Sequence, residues 1–329
     1  MSPRVLMLLA ALFVSTLLHA ADSYIDGPLT EDFQSWLEEN GYGRFGFARK
    51  EFGREGSYGG RVIPNQQPEN YPVVFIHGNA DGALSNGTRY GTGWTNSIKA
   101  FLENGYSPTE LYATTWGNRR AIDAYGNSNT CATLLYLRKF LKAVLKYTEA
   151  AKVNIIAHSM GVTLARRIIR GGILNATDGF CNLGMPLNDR INTFIGIAGA
   201  NYGLCTCGGL APQRAPFCNK MDGFWPGDYC GLQFSCVTKH ESCAPNQMSY
   251  SNVLSRMNED GFKEADNVFA LWTLNDEMLG EGNLVFGRPT SHIPSADGEK
   301  IYENLAHMEV KDDTADEQVL LVTSGQFLQ

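Results

Sequence analysis

The stretch "NIIAHSMGVTLARR", Asn154 to Arg167, decides how this chain is read. Its first half belongs to an apolar, β-branched run, and from Met160 onward it reads as a helix. Between them Ala157-His158-Ser159-Met160-Gly161 follows a G-x-S-x-G pattern with alanine in the place of the first glycine. At a strand-to-helix elbow the serine takes a strained backbone, so that its hydroxyl projects from the sheet edge. Strand and helix then pass close together, and the positions two before and two after the serine must be small. Ala157 adds one methyl group and Gly161 adds none. Chance matches to the relaxed pattern are common, but a match set between an apolar strand and a helix is much rarer. Ser159 is the candidate nucleophile, against the competing reading of a buried strand that merely runs into a helix.

The same rhythm of strand and helix extends to both sides of the elbow. "YPVVFIHG" (71–78) is a β-rich run ending in glycine, "WTNSIKAFLENG" (94–105) a helix stopped by Gly105, and "ELYATTWG" (110–117) the next strand. A long amphipathic helix is predicted from about Cys131 to Tyr147, with Leu134, Leu137, Phe140, Leu141, Val144 and Leu145 at helical spacing. "KVNIIAHS" (152–159), "INTFIGIAG" (191–199) and "NVFALWTL" (267–274) complete the visible strands, and "DEQVLLVTSGQFL" (316–328) reads as a closing helix. Apolar strands without period-two alternation, separated by helices, predict an α/β fold with a mostly parallel sheet covered on both faces.

A serine hydroxyl is a poor nucleophile until an imidazole accepts its proton, and the imidazole needs a carboxylate to fix its tautomer. In a hydrolase of this build the order along the chain is Ser, Asp or Glu, then His. Downstream of Ser159 the histidines are His240, His292 and His307. His240 lies in a cysteine cluster, and His307, in "NLAHMEV" after the last clear strand, stands where a returning loop would carry the base, with His292 the alternative. Asp276 leaves the carboxyl end of "NVFALWTLNDEM"; Glu277 is the fallback, and Asp266 lies at the wrong end of the same strand. The developing oxyanion needs two backbone donors, expected at Met160 after the nucleophile and at Asn79 after "FIHG". His77 is expected to be a structural hydrogen-bonding residue rather than a base.

At the amino end, Arg4 precedes an apolar run from Val5 to Leu18 and the small pair Ala20-Ala21, the pattern of a signal peptide over residues 1–20. The run is short of the roughly 20 apolar residues that cross a bilayer, and no later stretch is long and apolar enough. Residues 21–329 are then expected to form one exported, soluble domain. The 43% hydrophobic and 19% charged content is ordinary for a globular chain, and a formal charge of −7 with no basic block argues against nucleic acid as a partner.

Eight cysteines lie beyond residue 20, which in an oxidising compartment predicts four disulfides. Cys205, Cys207, Cys218, Cys230, Cys236 and Cys243 cluster, so parity suggests that Cys131 pairs with Cys181 and that the six form three local bridges of open connectivity. Zinc is the competing reading for the cluster, but paired C-x-x-C units are lacking. The surrounding segment, about 202–250, interrupts the α/β rhythm as a stapled excursion. Its Phe217, Met221, Phe224, Trp225, Tyr229 and Phe234 suit either an apolar lid or the excursion's own small core. Asn86-Gly87-Thr88 and Asn175-Ala176-Thr177 are glycosylation sequons, used only if the host glycosylates.

With these residues in place, the chain resembles the class 2 lipases, the group that joins small Bacillus-type lipases to secreted nematode lipase-like proteins. "PVVFIHGNADG" looks like that family's strand and oxyanion loop, "VNIIAHSMGVTLAR" like its Ala-x-Ser-x-Gly elbow, and "FIGIAGANYG", "LWTLNDEM" and "NLAHMEV" like its later strand, acid and histidine segments. The resemblance implies an α/β-hydrolase fold with Ser159 as nucleophile, Asp276 as acid, His307 as base and the amides of Asn79 and Met160 as the oxyanion hole. It further implies hydrolysis of carboxylic esters of lipids, at an ester substrate or a lipid–water interface, with no metal or other cofactor. Two departures stand out: Asn79 is polar where the small lipases carry an apolar residue, and the cysteine-rich excursion is absent from their compact form. A thioesterase or peptidase on the same fold, or an inactive lipid-binding or interaction protein, are the alternatives. Oligomeric state is left open by the sequence.

Overall fold

The apolar runs become the middle of a seven-stranded sheet in the computed structural model, which describes residues 25–211, 214–227, 230, 250–258, 261–280 and 283–327. The expected signal segment, Cys236, Cys243, His240, Tyr229 and Phe234 lie outside the described residues. The strands are β1 (Ser57–Tyr58), β2 (Val73–Ile76), β3 (Leu111–Thr114), β4 (Val153–His158), β7 (Ile191–Ile197), β8 (Asn267–Thr273) and β11 (Gly298–Tyr302), in the order β1-β3-β2-β4-β7-β8-β11. All neighbours run parallel except β1, which is antiparallel to β3. Every residue of β2, β3 and β4 is buried, the signature of a sheet with both faces covered.

The helices are α1 (Glu31–Glu39), α2 (Thr95–Glu103), α3 (Cys131–Tyr147), α4 (Met160–Arg170), α5 (Asn252–Asn258), α6 (Glu309–Asp312) and α7 (Ala315–Ser324). Two packed groups flank the sheet, α2 with α7, and α3 with α1 and α4. In α3 all six residues of the anticipated apolar stripe are buried, and Thr130 caps its first turn by accepting from the Thr133 amide. α7 is shorter than the sequence suggests because Gly325 takes a left-handed conformation and ends it.

Four features escape the sequence reading: the edge strands β1 and β11, the hairpin of β5 (Ile173–Ala176) with β6 (Gly179–Asn182), and a second hairpin of β9 (Leu284–Val285) with β10 (Arg288–Pro289). β11 stands between the expected last strand and His307. It reads Gly-Glu-Lys-Ile-Tyr with alternating exposure, an edge pattern without the continuous apolar run that marks a central strand.

Three disulfides join described residues: Cys131–Cys181, as parity suggested, Cys205–Cys230 and Cys207–Cys218. In the excursion Cys207, Cys218 and Phe224 are buried in the main core, Phe217 packs against that core, and Trp225 is buried. Its described part is thus fastened to the body, while Tyr202 and Cys230 join Val285 and Phe286 of the β9–β10 hairpin in a second, small buried cluster. Both sequon asparagines, Asn86 and Asn175, are exposed.

Candidate active site

Ser159 is the single residue between the end of β4 and the start of α4, with φ +54° and ψ −128°, a conformation that costs a non-glycine residue free energy. Its amide donates to the Ile197 carbonyl at 2.8 Å, which pins the turn to β7. The elbow is as tight as the sequence requires. A Cβ on Gly161 would stand 2.4 Å from the Ile76 carbonyl oxygen and 2.6 Å from that of His77, and one on Gly78 would stand 2.9 Å from the Ser159 Cβ. Ala157 is buried, paired with Ile76 on one side and Gly196 on the other.

The loop after β8 brings Asp276, the expected acid, to His307, the expected base. The Asp276 Oδ2 lies 2.8 Å from the His307 Nδ1, and both residues are buried. The other oxygen of Asp276 accepts from the amides of Met278 and Leu279 at 3.0 and 2.8 Å, so the carboxylate is fixed and aimed. An acceptor at this position requires hydrogen on Nδ1, which leaves the Nε2 lone pair for a proton. Glu277 does not meet the ring; its Oε2 accepts from the His307 amide at 2.9 Å and holds the loop. Of the alternatives, His292 pairs with Glu299, and Asp266 pairs with Lys152 at the far end of β8.

The His307 ring lies against that of His158, centroid to centroid 4.7 Å, one residue before Ser159. His158 also donates from Nε2 to the His307 carbonyl at 3.0 Å, because a carbonyl can only accept. Burial, followed by the charges of His307 and Lys311, keeps the His158 pKa well below the usual imidazole range, so it stays neutral. The Ser159 hydroxyl makes no hydrogen bond among the described residues.

At the expected oxyanion side, Met160 is the first residue of α4 and its amide has no intrahelical acceptor. The Asn79 amide donates to no group among the described residues. Its side chain is turned the other way, donating to the Ala124 carbonyl at 2.9 Å and accepting from Asn127 at 2.8 Å. The polar residue at this position therefore ties the loop to the 3-10 turn Ala121–Gly126. His77 is structural, as expected. It accepts the Trp116 amide at Nε2 (3.0 Å), donates from Nδ1 to the Gly78 carbonyl (2.7 Å) and stacks on the Trp116 ring. Burial pushes its pKa down to about 4.

One pair near the site was not anticipated. Lys311, four residues after His307 on α6, is fully buried and donates to Asp81 Oδ2 at 3.0 Å, to Thr92 Oγ1 at 2.8 Å and to the Gly93 carbonyl. Asp81 in turn accepts from the amides of Gly82 and Gly93. Burial raises the Asp81 pKa, but Lys311 and the other partners outweigh it and hold the carboxyl below its ordinary range. The loop that would carry one oxyanion donor is thus bolted to the helix that follows His307. On the turn that Asn79 bonds, Ile122 and Tyr125 are exposed, as are Leu274 and Met278 flanking Asp276, and Tyr125 meets Phe217 of the excursion edge-on at 5.5 Å. Among the described residues, no group of three or more His, Cys, Asp or Glu is arranged to hold a metal ion.

The family description "Lipase (class 2)" matches residues 70–320. Among solved structures, the monoacylglycerol lipase of Paleococcus ferrophilus is similar at 12% identity, covering 83% of this chain and 98% of that one, with a TM-score of 0.48. The carboxylesterase CesB of Bacillus subtilis is similar at 14% identity, covering 83% and 90%, with a TM-score of 0.39. Lipase B of Aspergillus fumigatus is similar at 11% identity, covering 75% and 48%, with a TM-score of 0.42. No curated protein matches the chain.

Proposed function

The chain belongs to the class 2 lipases and is a carboxylic ester hydrolase, and from that premise we propose that it is a secreted serine hydrolase acting on lipid esters through an acyl-enzyme. Ser159 Oγ attacks the ester carbonyl while its proton passes to His307 Nε2. The oxyanion is held by the amides of Asn79 and Met160. On collapse the carbon–oxygen bond to the alcohol breaks, and His307 returns the proton to the leaving alcohol. Water, deprotonated by His307, then attacks the acyl-enzyme and releases the acid and the free Ser159 hydroxyl. Asp276 keeps His307 in the tautomer that accepts at Nε2.

The observation that carries this reading is the 2.8 Å contact between Asp276 and a His307 ring packed beside the strained elbow of Ser159. Export is supported by the amino-terminal sequence pattern and by three disulfides, which persist in oxidising compartments. A lipid rather than a small polar ester is supported by the exposed apolar side chains beside the Asn79 and Asp276 loops.

Purified protein is expected to hydrolyse p-nitrophenyl esters and to react with a fluorophosphonate probe. Ser159→Ala should lower kcat by roughly 10³-fold or more and abolish labelling. Labelling that survives in the alanine variant rules out Ser159, and a folded wild type that neither labels nor turns over favours an inactive binding protein.

A further inference from the structure

The hairpin after α4 presents two exposed apolar side chains that the ester chemistry does not use. β5 and β6 pair with Ile173 opposite Asn182, Leu174 opposite Cys181, Asn175 opposite Phe180 and Ala176 opposite Gly179. Side chains alternate along a strand, so Leu174, Ala176 and Cys181 turn inward and are buried, while Ile173, Asn175, Phe180 and Asn182 share the outer face. On that face Ile173 is 52% exposed and Phe180 70% exposed. The backbone beneath the ring is held firmly. Cys181 is bonded to Cys131, the Asp178 carboxylate accepts the amides of Cys131 and Ala132, and Thr177 donates its amide and hydroxyl to the buried Asp222.

Directly across the ladder from this outward ring stands Asn175, the acceptor residue of the sequon Asn175-Ala176-Thr177. Cβ atoms of directly opposed residues lie about 4.5–5.5 Å apart, so anything attached to the Asn175 amide starts beside the Phe180 ring. The other sequon differs. Asn86 is also exposed, but it sits in a loop with its Oδ1 accepting from the amide and hydroxyl of Thr88, and among the described residues no opposed strand residue faces it.

We propose that Asn175 is N-glycosylated and that the first sugar of its glycan lies over Phe180 and Ile173, covering the outer face of the hairpin. The Asn175 Nδ2 gives up a proton, which leaves with the diphosphate, and bonds to the anomeric carbon of an oligosaccharide carried on a polyprenyl diphosphate. The bond from that carbon to the diphosphate breaks, and the polyprenyl diphosphate leaves. A pyranose has one face of C–H groups, and laying it on an aromatic ring removes apolar surface from water on both partners. The occupant is a glycan rather than a second protein, because a chain attached at Asn175 stands inside the patch that a protein would have to cover.

The proposal rests on the export reading. The full chain, expressed in a eukaryotic secretory host, should yield an occupied Asn175 glycopeptide by mass spectrometry. Protein recovered from the medium with Asn175 unmodified overturns the glycan site and leaves export standing; protein retained in the cytosol and unmodified overturns both. The covering role is read from thermal-inactivation half-lives of wild type, Asn175→Gln, Phe180→Ala and the double variant. Each single change is expected to shorten the half-life by roughly twofold to tenfold, with the double no worse than the worse single. Glycan trimmed by endoglycosidase to its first sugar should keep the wild-type half-life, and Asn86→Gln should combine independently with Phe180→Ala. Independent, multiplicative losses in the Asn175→Gln/Phe180→Ala double variant would overturn the contact.

Discussion

At the scale of single residues, the site separates two adjacent carboxylates by what each oxygen meets. Asp276 faces the His307 ring and Glu277 faces the His307 amide. Asp276→Asn keeps the shape but offers a donor where an acceptor is needed, which invites the wrong tautomer of His307. The expected result is a fall in kcat of roughly 10³- to 10⁴-fold, as for a triad acid in general, with little change in KM. Glu277→Gln retains a carbonyl that can accept the same amide, so kcat should change far less. Steady-state kinetics on a soluble ester distinguish the two, and equal losses would mean that the acid has been misassigned. That Asp276 would meet His307 was legible in the sequence because the expected triad pattern constrains both residue type and chain order. His158 was not, since nothing in the letters tells a histidine bonded to the His307 carbonyl from one that merely fills space.

At the scale of elements, the central strands and α3 and α4 declared themselves through continuous apolar runs and helical spacing, which are local properties. β11, β1 and the β5–β6 hairpin did not, being short, alternating or charged. The pair of Asp81 and Lys311 was illegible for a different reason: a charge in a loop and a charge on a four-residue helix read as solvated, and only the fold buries them. Breaking such a pair leaves one charge alone in the interior. Lys311→Met should therefore cost about 3–5 kcal/mol, measured by denaturant unfolding, and adding Asp81→Asn should recover a good part of it. Because the pair joins the Asn79 loop to α6, kcat should follow the same order. The Cys131–Cys181 bridge works in the same direction on the other side of the sheet. Replacing both cysteines by serine should cost about 2–5 kcal/mol, seen as a lower midpoint of unfolding.

For the molecule as a whole, the neutral buried histidines make stability depend on acidity. His77 holds a pKa of about 4 in the fold against 6.5 when unfolded, and His158 is displaced the same way. Above pH 6.5 neither state binds these protons. Between 6.5 and 4 the unfolded chain takes up protons that the fold refuses, so stability rises with pH across that window and is lost on acidification. For His77 the gap corresponds to about 3 kcal/mol. Unfolding midpoints measured from pH 7 down to pH 4 should fall steadily, and His77→Gln should flatten part of the slope. The overall architecture was readable from sequence, whereas the way the excursion is fastened to the core was not, because disulfide partners within a cluster leave no periodic trace. β1 is two residues long and runs against its neighbour, and β11 alternates in exposure and carries Glu299 and Lys300. Neither margin of the seven-stranded sheet offers a long, flat, greasy ribbon to another copy, so crowding this hydrolase in a concentrated solution gives growing fibrils no template at either end of that sheet.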